Sequence, residues 1–386
     1  MMKLYKYIAI SIILLIQLYS CTTYKNKDND IKNEEKWKIE TSLKKIDTSI
    51  HFIKTIIPFP KYNYSGNGNI LYIDSTILIY DNLFHTITLI NDLGEILFQN
   101  GGLNKSINYD KFTMPYSITT SSNGYLSIFG REIAFLDYNF EIQLIKKIEF
   151  IGGEKLSSML AIPNANNMTV YELNERNKNY FQISNNEVVV SIESEAPAFN
   201  PYNSLIYFKK ARPFGIINSD KVNITPIPIT RSSVYKDSCC LSVQDAAYLI
   251  KKDSLFYIQF AADSLIYVYN QKYIQKYAFG LSSKFHPNRI YNNGLEIAFD
   301  REKYLKLESR ANLIESLFLF KNELICRIVN NNSKKKKYLQ MYEGFDLINE
   351  TEIPNNFKYI GQNGSSIYGI LKENDNQIKL CKLKQL

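Results

Sequence analysis

The stretch Ile70–Phe98, ILYIDSTILIYDNLFHTITLINDLGEILF, consists of four short apolar runs separated by polar breaks. The runs are rich in Ile, Leu, Tyr and Thr, residues that pack well on a pleated surface. They are Ile70–Ile73, Ile77–Tyr80, Thr86–Ile90 and Glu95–Phe98. The breaks contain Asp, Asn, Ser and Gly, which favour turns. We therefore predict a four-stranded antiparallel meander in this stretch.

The composition of the chain is that of a globular protein. It has 386 residues, of which 45% are hydrophobic and 22% charged, so it is not a disordered chain. Its net charge of +8 is mild for this length. Nucleic-acid binding requires basic residues concentrated on one face, and the only dense run, Lys334–Lys337, is typical of a solvated hairpin tip. We expect no nucleic-acid partner.

The N-terminus has the features of an export signal. Lys3 and Lys6 precede the apolar run Tyr7–Ile16, which is too short to span a membrane comfortably. The motif LYSC at residues 18–21 then resembles the lipobox of bacterial lipoproteins. The resemblance implies that residues 1–20 are a signal peptide and that Cys21 is lipidated, palmitate being one acyl group that such a residue carries. An ordinary secretory signal is the alternative.

Residues 21–45 are predicted to be the lipidated cysteine and a flexible tether. Residues 22–41 are polar, mixed in charge and without apolar periodicity. Thr22 follows Cys21 in place of the Asp associated with inner-membrane retention, so an outer-membrane location is favoured. The acidic residues at 28–30 and 34–35 distantly resemble surface-export signals, and the periplasmic and surface-exposed sides both remain open.

Weaker copies of the first meander recur along residues 46–386, which we predict to be one domain. We count seven units, at a spacing of about 40–60 residues that suits propeller blades. They are Ile70–Phe98, Tyr116–Phe150, Met159–Glu193, Ala198–Thr230, Ala246–Leu281, Asn312–Ile353 and Phe357–Leu383. The last unit has only three strands, and His51–Phe59 can supply the fourth. The fold class is therefore all-β, a β-propeller with six or seven four-stranded blades; six blades result if two weak central units merge.

A short corner motif, an Asx followed three residues later by an aromatic residue, recurs in the units. It occurs at Asp81–Phe84, Asp137–Phe140 and Asn270–Tyr273, with a degenerate copy at Tyr342–Phe345. We predict that the Asx initiates the turn between the last two strands and that the aromatic residue opens the outer strand.

Together the lipobox and the blade pattern resemble uncharacterised lipoproteins of Bacteroidota-type bacteria that carry a TolB-like six-bladed or a related seven-bladed propeller. The resemblance covers nearly the whole mature chain, but it includes no diagnostic motif. The WD40 signature is absent, and only two units carry the double glycine of kelch repeats.

The longest insertion between units is Lys284–Glu308, and it is the first place to look for a binding site. Long insertions in a propeller cross one face of the ring and often carry function. Its polar candidates for a ligand face are His286, Arg289 and Arg301. A helical turn or two is expected over Phe299–Leu307. The alternative is a plain connecting loop.

The sequence contains few residues suited to catalysis. It has three histidines and five cysteines, with no metal-like spacing and no GxSxG, HExxH, P-loop, EF-hand or GxGxxG motif. Cys326 and Cys381 lie in apolar strands and are expected to be small core residues. We therefore predict no catalytic residue, no metal site and no cofactor.

The function favoured by the sequence is a lipid-anchored binding or scaffold module of the envelope. Its partner would be a protein, a peptide or a glycan that contacts one face of the ring. The alternative is a propeller hydrolase or lyase that acts on a carbohydrate or a small ester in the central funnel. The sequence does not predict the oligomeric state.

Overall fold

A computed structural model describes residues 38–39, 51–58, 65, 68–73, 75–81, 83–84, 86–101, 117–121, 123–129, 132–148, 171–174, 181–184, 186–194, 199–201, 205–218, 223–235, 242–280, 287, 300–374 and 377–385. The chain divides into two compact units, residues 1–37 and 38–386. All described residues belong to the second unit. Within these residues, no helix is long and apolar enough to cross a membrane.

The described chain forms six antiparallel sheets, which are the blades of a β-propeller. Two short strands come first: β1 (Lys38–Ile39) and β2 (Phe52–Ile57). Blade 1 contains β3 (Gly68–Ile73), β4 (Thr76–Asp81), β5 (Thr86–Ile90) and β6 (Ile96–Gly101). Blade 2 contains β7 (Ser117–Ser121), β8 (Gly124–Phe129), β9 (Glu132–Leu136) and β10 (Ile142–Lys147).

Blade 3 is the least regular blade. It contains β11 (Glu172–Leu173), β12 (Phe181–Ser184), β13 (Glu187–Glu193), the helix α1 (Leu205–Lys210), β14 (Phe214–Asn218) and β15 (Asn223–Pro226). Strands β11 and β12 both pair with β13, so together they form one interrupted inner strand. Pro226 ends the outer strand, where a missing N–H is tolerated.

The last three blades are longer and more regular. Blade 4 contains β16 (Ala247–Lys252), β17 (Leu255–Phe260), β18 (Ile266–Tyr269) and β19 (Gln275–Phe279), preceded by the 3-10 turns Ser233–Tyr235 and Ser242–Asp245. After the helix α2 (Arg301–Glu308), blade 5 contains β20 (Asn312–Phe320), β21 (Leu324–Asn331), β22 (Lys336–Glu343) and β23 (Asp346–Ile353). Blade 6 contains β24 (Phe357–Asn363), β25 (Ser366–Asn374) and β26 (Gln377–Gln385).

An N-terminal strand closes the last blade, as predicted. β2 pairs antiparallel with β26, from Phe52 opposite Gln385 to Ile57 opposite Leu380. β1 pairs in parallel with β19 and adds a fifth strand to the outer edge of blade 4. Lys38 and Ile39 lie within the segment predicted as a tether, so this part of the segment is attached to the ring.

The ring has six blades because the third and fourth predicted units merge into blade 3. The run LIYFKK at 205–210, predicted as a strand, is the helix α1. Its Tyr207 and Phe208 are fully buried, and Lys209 and Lys210 lie in the last turn, where they complement the helix dipole. The predicted strand at 160–163 lies outside the described residues.

Hydrophobic clusters between neighbouring blades show that the ring closes. One cluster joins blade 6 to blade 1 through Ile57, Ile79 and Tyr368. Others join blades 1 and 2, blades 2 to 4, blades 4 and 5, and blades 5 and 6. Cys326 and Cys381 are free buried thiols in the last of these, which confirms that they are core residues. Burial raises the pKa of the Cys381 thiol to about 11.

The Asx corner is real, but it belongs to a different turn of blade 1 than predicted. Asp81 lies between the second and third strands, whereas Asn91 occupies the turn between the last two. The Asn91, Asp137 and Asn270 Oδ1 atoms each accept the backbone N–H groups two and four residues ahead, at 2.8–3.0 Å. The third residue after each Asx is left-handed: Gly94, Phe140 and Tyr273. The aromatic residue thus completes the turn instead of opening the strand.

Both helices of the described residues lie on one face of the ring. The first strand of every blade begins at the same end, and the connection between the second and third strands returns to that end. We call this the front face. α1 lies in such a connection of blade 3, and α2 lies in the connection from blade 4 to blade 5. The front face therefore carries both helical insertions of the described chain.

Candidate ligand-binding site

The sequence-predicted site residues are only partly described. Cys21, His286 and Arg289 lie outside the described residues. Arg301 is the exposed first residue of α2, whose N-terminus is capped by Asp300 through a 3.0 Å bond from the Lys303 N–H. α2 spans two turns, as expected. At its other end the Asn332 amide donates to the Glu308 carbonyl at 3.2 Å, so α2 adjoins the turn between β21 and β22.

A polar cluster lies in blade 5 close to that turn. Glu315 is the extra residue of a β-bulge in the inner strand β20, between Ile314 and Ser316. A bulge re-aims a side chain that regular pleating would place elsewhere. The Lys337 ammonium donates to Glu315 Oε2 at 2.6 Å and to the Phe357 carbonyl of blade 6 at 2.9 Å. The Asn330 amide nitrogen donates to Glu315 Oε1. We call Glu315, Ser316, Asn330 and Lys337 the bulge cluster.

The bulge cluster retains unused hydrogen-bonding capacity. Asn330 and Ser316 are each only 7% exposed. The Asn330 Oδ1 and Ser316 Oγ atoms have no hydrogen-bond partner within the described residues. Buried polar atoms normally find a partner. Lys337 uses two of its three N–H donors. The Glu315 side chain remains 27% exposed, so the cluster is open to solvent on the carboxylate side.

The charge of the same carboxylate affects a tyrosine of the neighbouring blade. The pKa of Tyr248, on the inner strand of blade 4, is raised first by burial and then by the negative charge of Glu315. Like any tyrosine its phenol is protonated at neutral pH and can donate a hydrogen bond, and the raised pKa extends this to more alkaline pH. The sequence signal for this cluster was the polar pair Glu315-Ser316 inside the apolar strand NLIESLFLF.

The lysine run at 334–337 is only partly the solvated tip that was predicted. Lys334, Lys335 and Lys336 are exposed, but Lys337 is 8% exposed and paired. The reason is strand alternation: Lys337 pairs with Asn330 and Ile353 and points to the blade 6 side, together with the core residues of that interface.

Two buried arginines, Arg327 and Arg231, each form a separate hydrogen-bond network. Arg327 of blade 5 donates to Gln340 and Gln259 at 2.7 Å, to the Ser264 carbonyl at 2.7 Å and to the Gly280 carbonyl at 3.0 Å. Three of these acceptors belong to blade 4 or to the loop that follows it. Arg327 is 0% exposed. It therefore fastens blade 5 to blade 4 and offers nothing to a ligand.

Arg231 fills the same role beneath α1. It donates two hydrogen bonds to Asp245, one to the Tyr207 hydroxyl at 2.9 Å and one to the Ala211 carbonyl at 3.2 Å. Its guanidinium also lies 4.5 Å from the centroid of the Tyr207 ring. Burial raises the pKa of Tyr207 well above its usual value. No local sequence pattern predicts this set, because its members are up to 38 residues apart.

The described residues contain no group of three or more His, Cys, Asp or Glu side chains that could hold a metal ion. The bulge cluster contains four kinds of hydrogen-bonding group: a carboxylate, an amide, a hydroxyl and an ammonium. That set can bind a polar ligand without adding net charge, because Lys337 compensates Glu315.

Comparison with known proteins supports the fold. No family model and no curated protein sequence matches the chain. Among solved structures, a member of the DUF4221 family from Bacteroides vulgatus aligns over 88% of this chain and 98% of its own, with a TM-score of 0.61 and 11% identity. A Bacteroides fragilis protein assigned as exported aligns over 88% and 96%, with a TM-score of 0.46 and 10% identity. The similarity to the B. vulgatus protein shows a shared fold: this chain is a six-bladed β-propeller.

Proposed function

We propose that this chain is a lipid-anchored propeller of the bacterial envelope that binds a glycan at the bulge cluster. Export and anchoring rest on the N-terminal signal and the lipobox at 18–21, with the outer membrane as the favoured location. The observation that supports binding is the Glu315 carboxylate, which a β-bulge re-aims and which stays 27% exposed beside Asn330 and Lys337.

The chemistry of the cluster favours a glycan over a charged peptide terminus. Sugar hydroxyl groups both donate and accept hydrogen bonds, so one ligand can donate to the exposed Glu315 carboxylate and accept from the third N–H of Lys337. A strongly charged ligand would meet a site whose own charges already cancel. The bulge lies on an inner strand beside the α2 insertion, and loops over one face of a rigid ring commonly form binding sites.

The test compares two neighbouring ion pairs of the same blade. Glu315→Gln removes the charge of the buried pair with Lys337, whereas Glu352→Gln removes that of the exposed pair with Lys336. The purified full chain is screened on an array of envelope and host glycans. We expect Glu315→Gln to weaken binding of any hit by about tenfold or more, because a buried charged hydrogen bond is lost.

Glu352→Gln should leave the affinity unchanged. Equal affinity of both variants and the parent chain for the hit, with both variants folded, would exclude the bulge cluster as the site. No observation in the described chain favours the hydrolase alternative.

A further inference from the structure

The outer strand of blade 1 differs in composition from the outer strands of the other five blades. The outer edge of a sheet presents unpaired N–H and C=O groups, and proteins commonly protect it with charged residues, proline or a covering segment. Charged residues occur in β2, β10, β19 and β23, and Pro226 ends β15. β19 is also covered by β1. β6 has the sequence ILFQNG and contains neither a charged residue nor proline.

The outer edge of β6 has no partner among the described strands, since β6 pairs only with β5. A bulge at Leu97 interrupts the pairing near the start of the strand. The same bulge occurs in β10, β19 and β23, so it does not set β6 apart. Beyond the bulge, residues 98–101 pair regularly with residues 86–89. These four residues therefore form a regular open edge.

The neighbouring blades hold this edge in place. The rings of Phe98 in blade 1 and Phe140 in blade 2 are 5.6 Å apart. In the turn that leads into β6, Asp92 accepts from the Tyr368 hydroxyl at 2.7 Å and pairs with Lys382, both of blade 6. Because the strand is already ordered, adding a further strand to it costs little conformational entropy on the side of the ring.

The side chains of β6 suit a second copy of the same strand. Ile96 and Leu97 are 44% and 57% exposed and project into solvent. Recognition of a foreign peptide by strand addition relies on pockets for alternate side chains, whereas projecting aliphatic side chains offer no pocket. A second β6 supplies a neutral strand of matching character. Two-fold association of identical surfaces is also the commonest form of homo-oligomer.

Antiparallel pairing of β6 with its copy avoids charge repulsion. Glu95, just before the strand, is exposed. When the pairing is centred within residues 98–101, the Glu95 side chains of the two copies lie at opposite ends of the ladder. The exposed Gln99 amide can both donate and accept a hydrogen bond across it. Self-pairing of β23, in contrast, would bring together two sets of three acidic residues, Asp346, Glu350 and Glu352.

We propose that β6 pairs antiparallel with β6 of a second copy of this chain, which joins blade 1 of each ring into one continuous eight-stranded sheet. This inference is independent of both the glycan site and the lipid anchor.

The test measures self-association with a matched pair of lysine substitutions at exposed positions. Gln99→Lys places a charge in the proposed ladder, and Thr55→Lys places the same charge on the outer strand of blade 6. The full chain also carries Cys21→Ala, so that it cannot be acylated, and is followed by sedimentation velocity over a dilution series. We expect the parent chain and Thr55→Lys to form dimers, and Gln99→Lys to dimerise about tenfold more weakly, because the two lysines then meet across the two-fold axis.

Hydrogen exchange locates the contact. In the parent chain, the amides of residues 98–101 should exchange more slowly as the concentration rises, and those of β10 should not change. Gln99→Thr, a neutral strand-forming residue, should dimerise like the parent, which separates the effect of the charge from loss of the glutamine. A monomer at every concentration, or equal dimerisation of Gln99→Lys and the parent with both folded, would overturn the proposal. Slower exchange at 98–101 only when envelope extract is added to a monomeric chain would assign the edge to another protein and would equally refute the second copy.

Discussion

At the scale of single residues, the ring is held by polar groups that hydrophobic pattern alone does not reveal. Arg327 is surrounded by four acceptors from two blades and the loop between them. A buried guanidinium is tolerated only where its donors are satisfied. Its position in the middle of the apolar strand LICRIVNN is therefore specified by the interface and not by the strand itself.

Arg327→Met should destabilise the protein strongly. The substitution fills a similar volume but leaves two glutamine oxygens and two carbonyls buried without their donor, and each orphaned acceptor costs about 1–3 kcal/mol. We expect the free energy of unfolding in urea to fall by about 3 kcal/mol or more.

Lys336→Met is the matched control, since Lys336 is an exposed lysine that pairs with the half-exposed Glu352. It should give no measurable change, because exposed pairs contribute little. Equal stabilities for both variants would show that the Arg327 network does not fasten the two blades.

The aromatic residues of the corner motif have strained backbone angles, and ring packing offsets the cost. Phe140 and Tyr273 adopt left-handed backbone angles of 60° and 58°, which cost an ordinary side chain about 1 kcal/mol or more. Phe140 stacks on Tyr125 at 4.3 Å between centroids and is buried, and Tyr273 contacts Phe256 at 5.3 Å. Aromatic packing offsets the backbone cost, so the aromatic residue persists where blade 1 has Gly94.

At the scale of elements, sequence predicted strands well where propensity and alternation agree. The four strands of blade 1 begin and end within three residues of the predicted runs. The prediction was wrong at 205–210, where β-favouring residues form α1 because Tyr207 and Phe208 are buried in the hydrophobic cluster of blades 2 to 4 and Arg231 stacks on Tyr207. Tertiary packing overrides local propensity there.

The candidate site also combines features that the local sequence predicts with features that depend on tertiary packing. The α2 helix and Arg301 could be located from an insertion and a capping residue. The bulge cluster could not, because a bulge is set by pairing with β21 and the buried state of Lys337 depends on the register of β22. The bulge and the strand register both depend on contacts between separate strands. The sequence shows only a polar pair in a strand and a lysine run.

Strand β2 provides a prediction at this scale. Ile57 is 1% exposed and belongs to the cluster between blades 6 and 1, whereas its neighbour Ile56 is 43% exposed. Ile57→Asp places a charge in that cluster and should lower the free energy of unfolding by about 3–4 kcal/mol. Ile56→Asp, on the same strand, should change it by less than about 0.5 kcal/mol. Thermal or urea unfolding of both variants measures the difference, and equal losses would argue against closure of the ring by β2.

At the scale of the whole molecule, the N-terminal segment has two roles: β2 must pair within the ring, and the proposed anchor at Cys21 must reach the membrane. The segment that ends in β2 must pair with the C-terminal β26 to complete the ring, yet the proposed acyl group lies 31 residues upstream of Phe52. Attachment of Lys38 and Ile39 to blade 4 shortens the free length between anchor and ring.

The anchor itself is the final prediction. Cys21→Ala should transfer most of the protein from the membrane fraction to the soluble fraction of its own envelope, because several acyl chains hold a protein far more firmly than one chain or a surface contact does. Cys239→Ala, another cysteine substitution, should leave the chain in the membrane fraction. An alkaline carbonate wash removes any Cys21→Ala protein that is held only by a peripheral surface contact. If that variant still sediments after the wash, the lipid anchor at Cys21 is excluded.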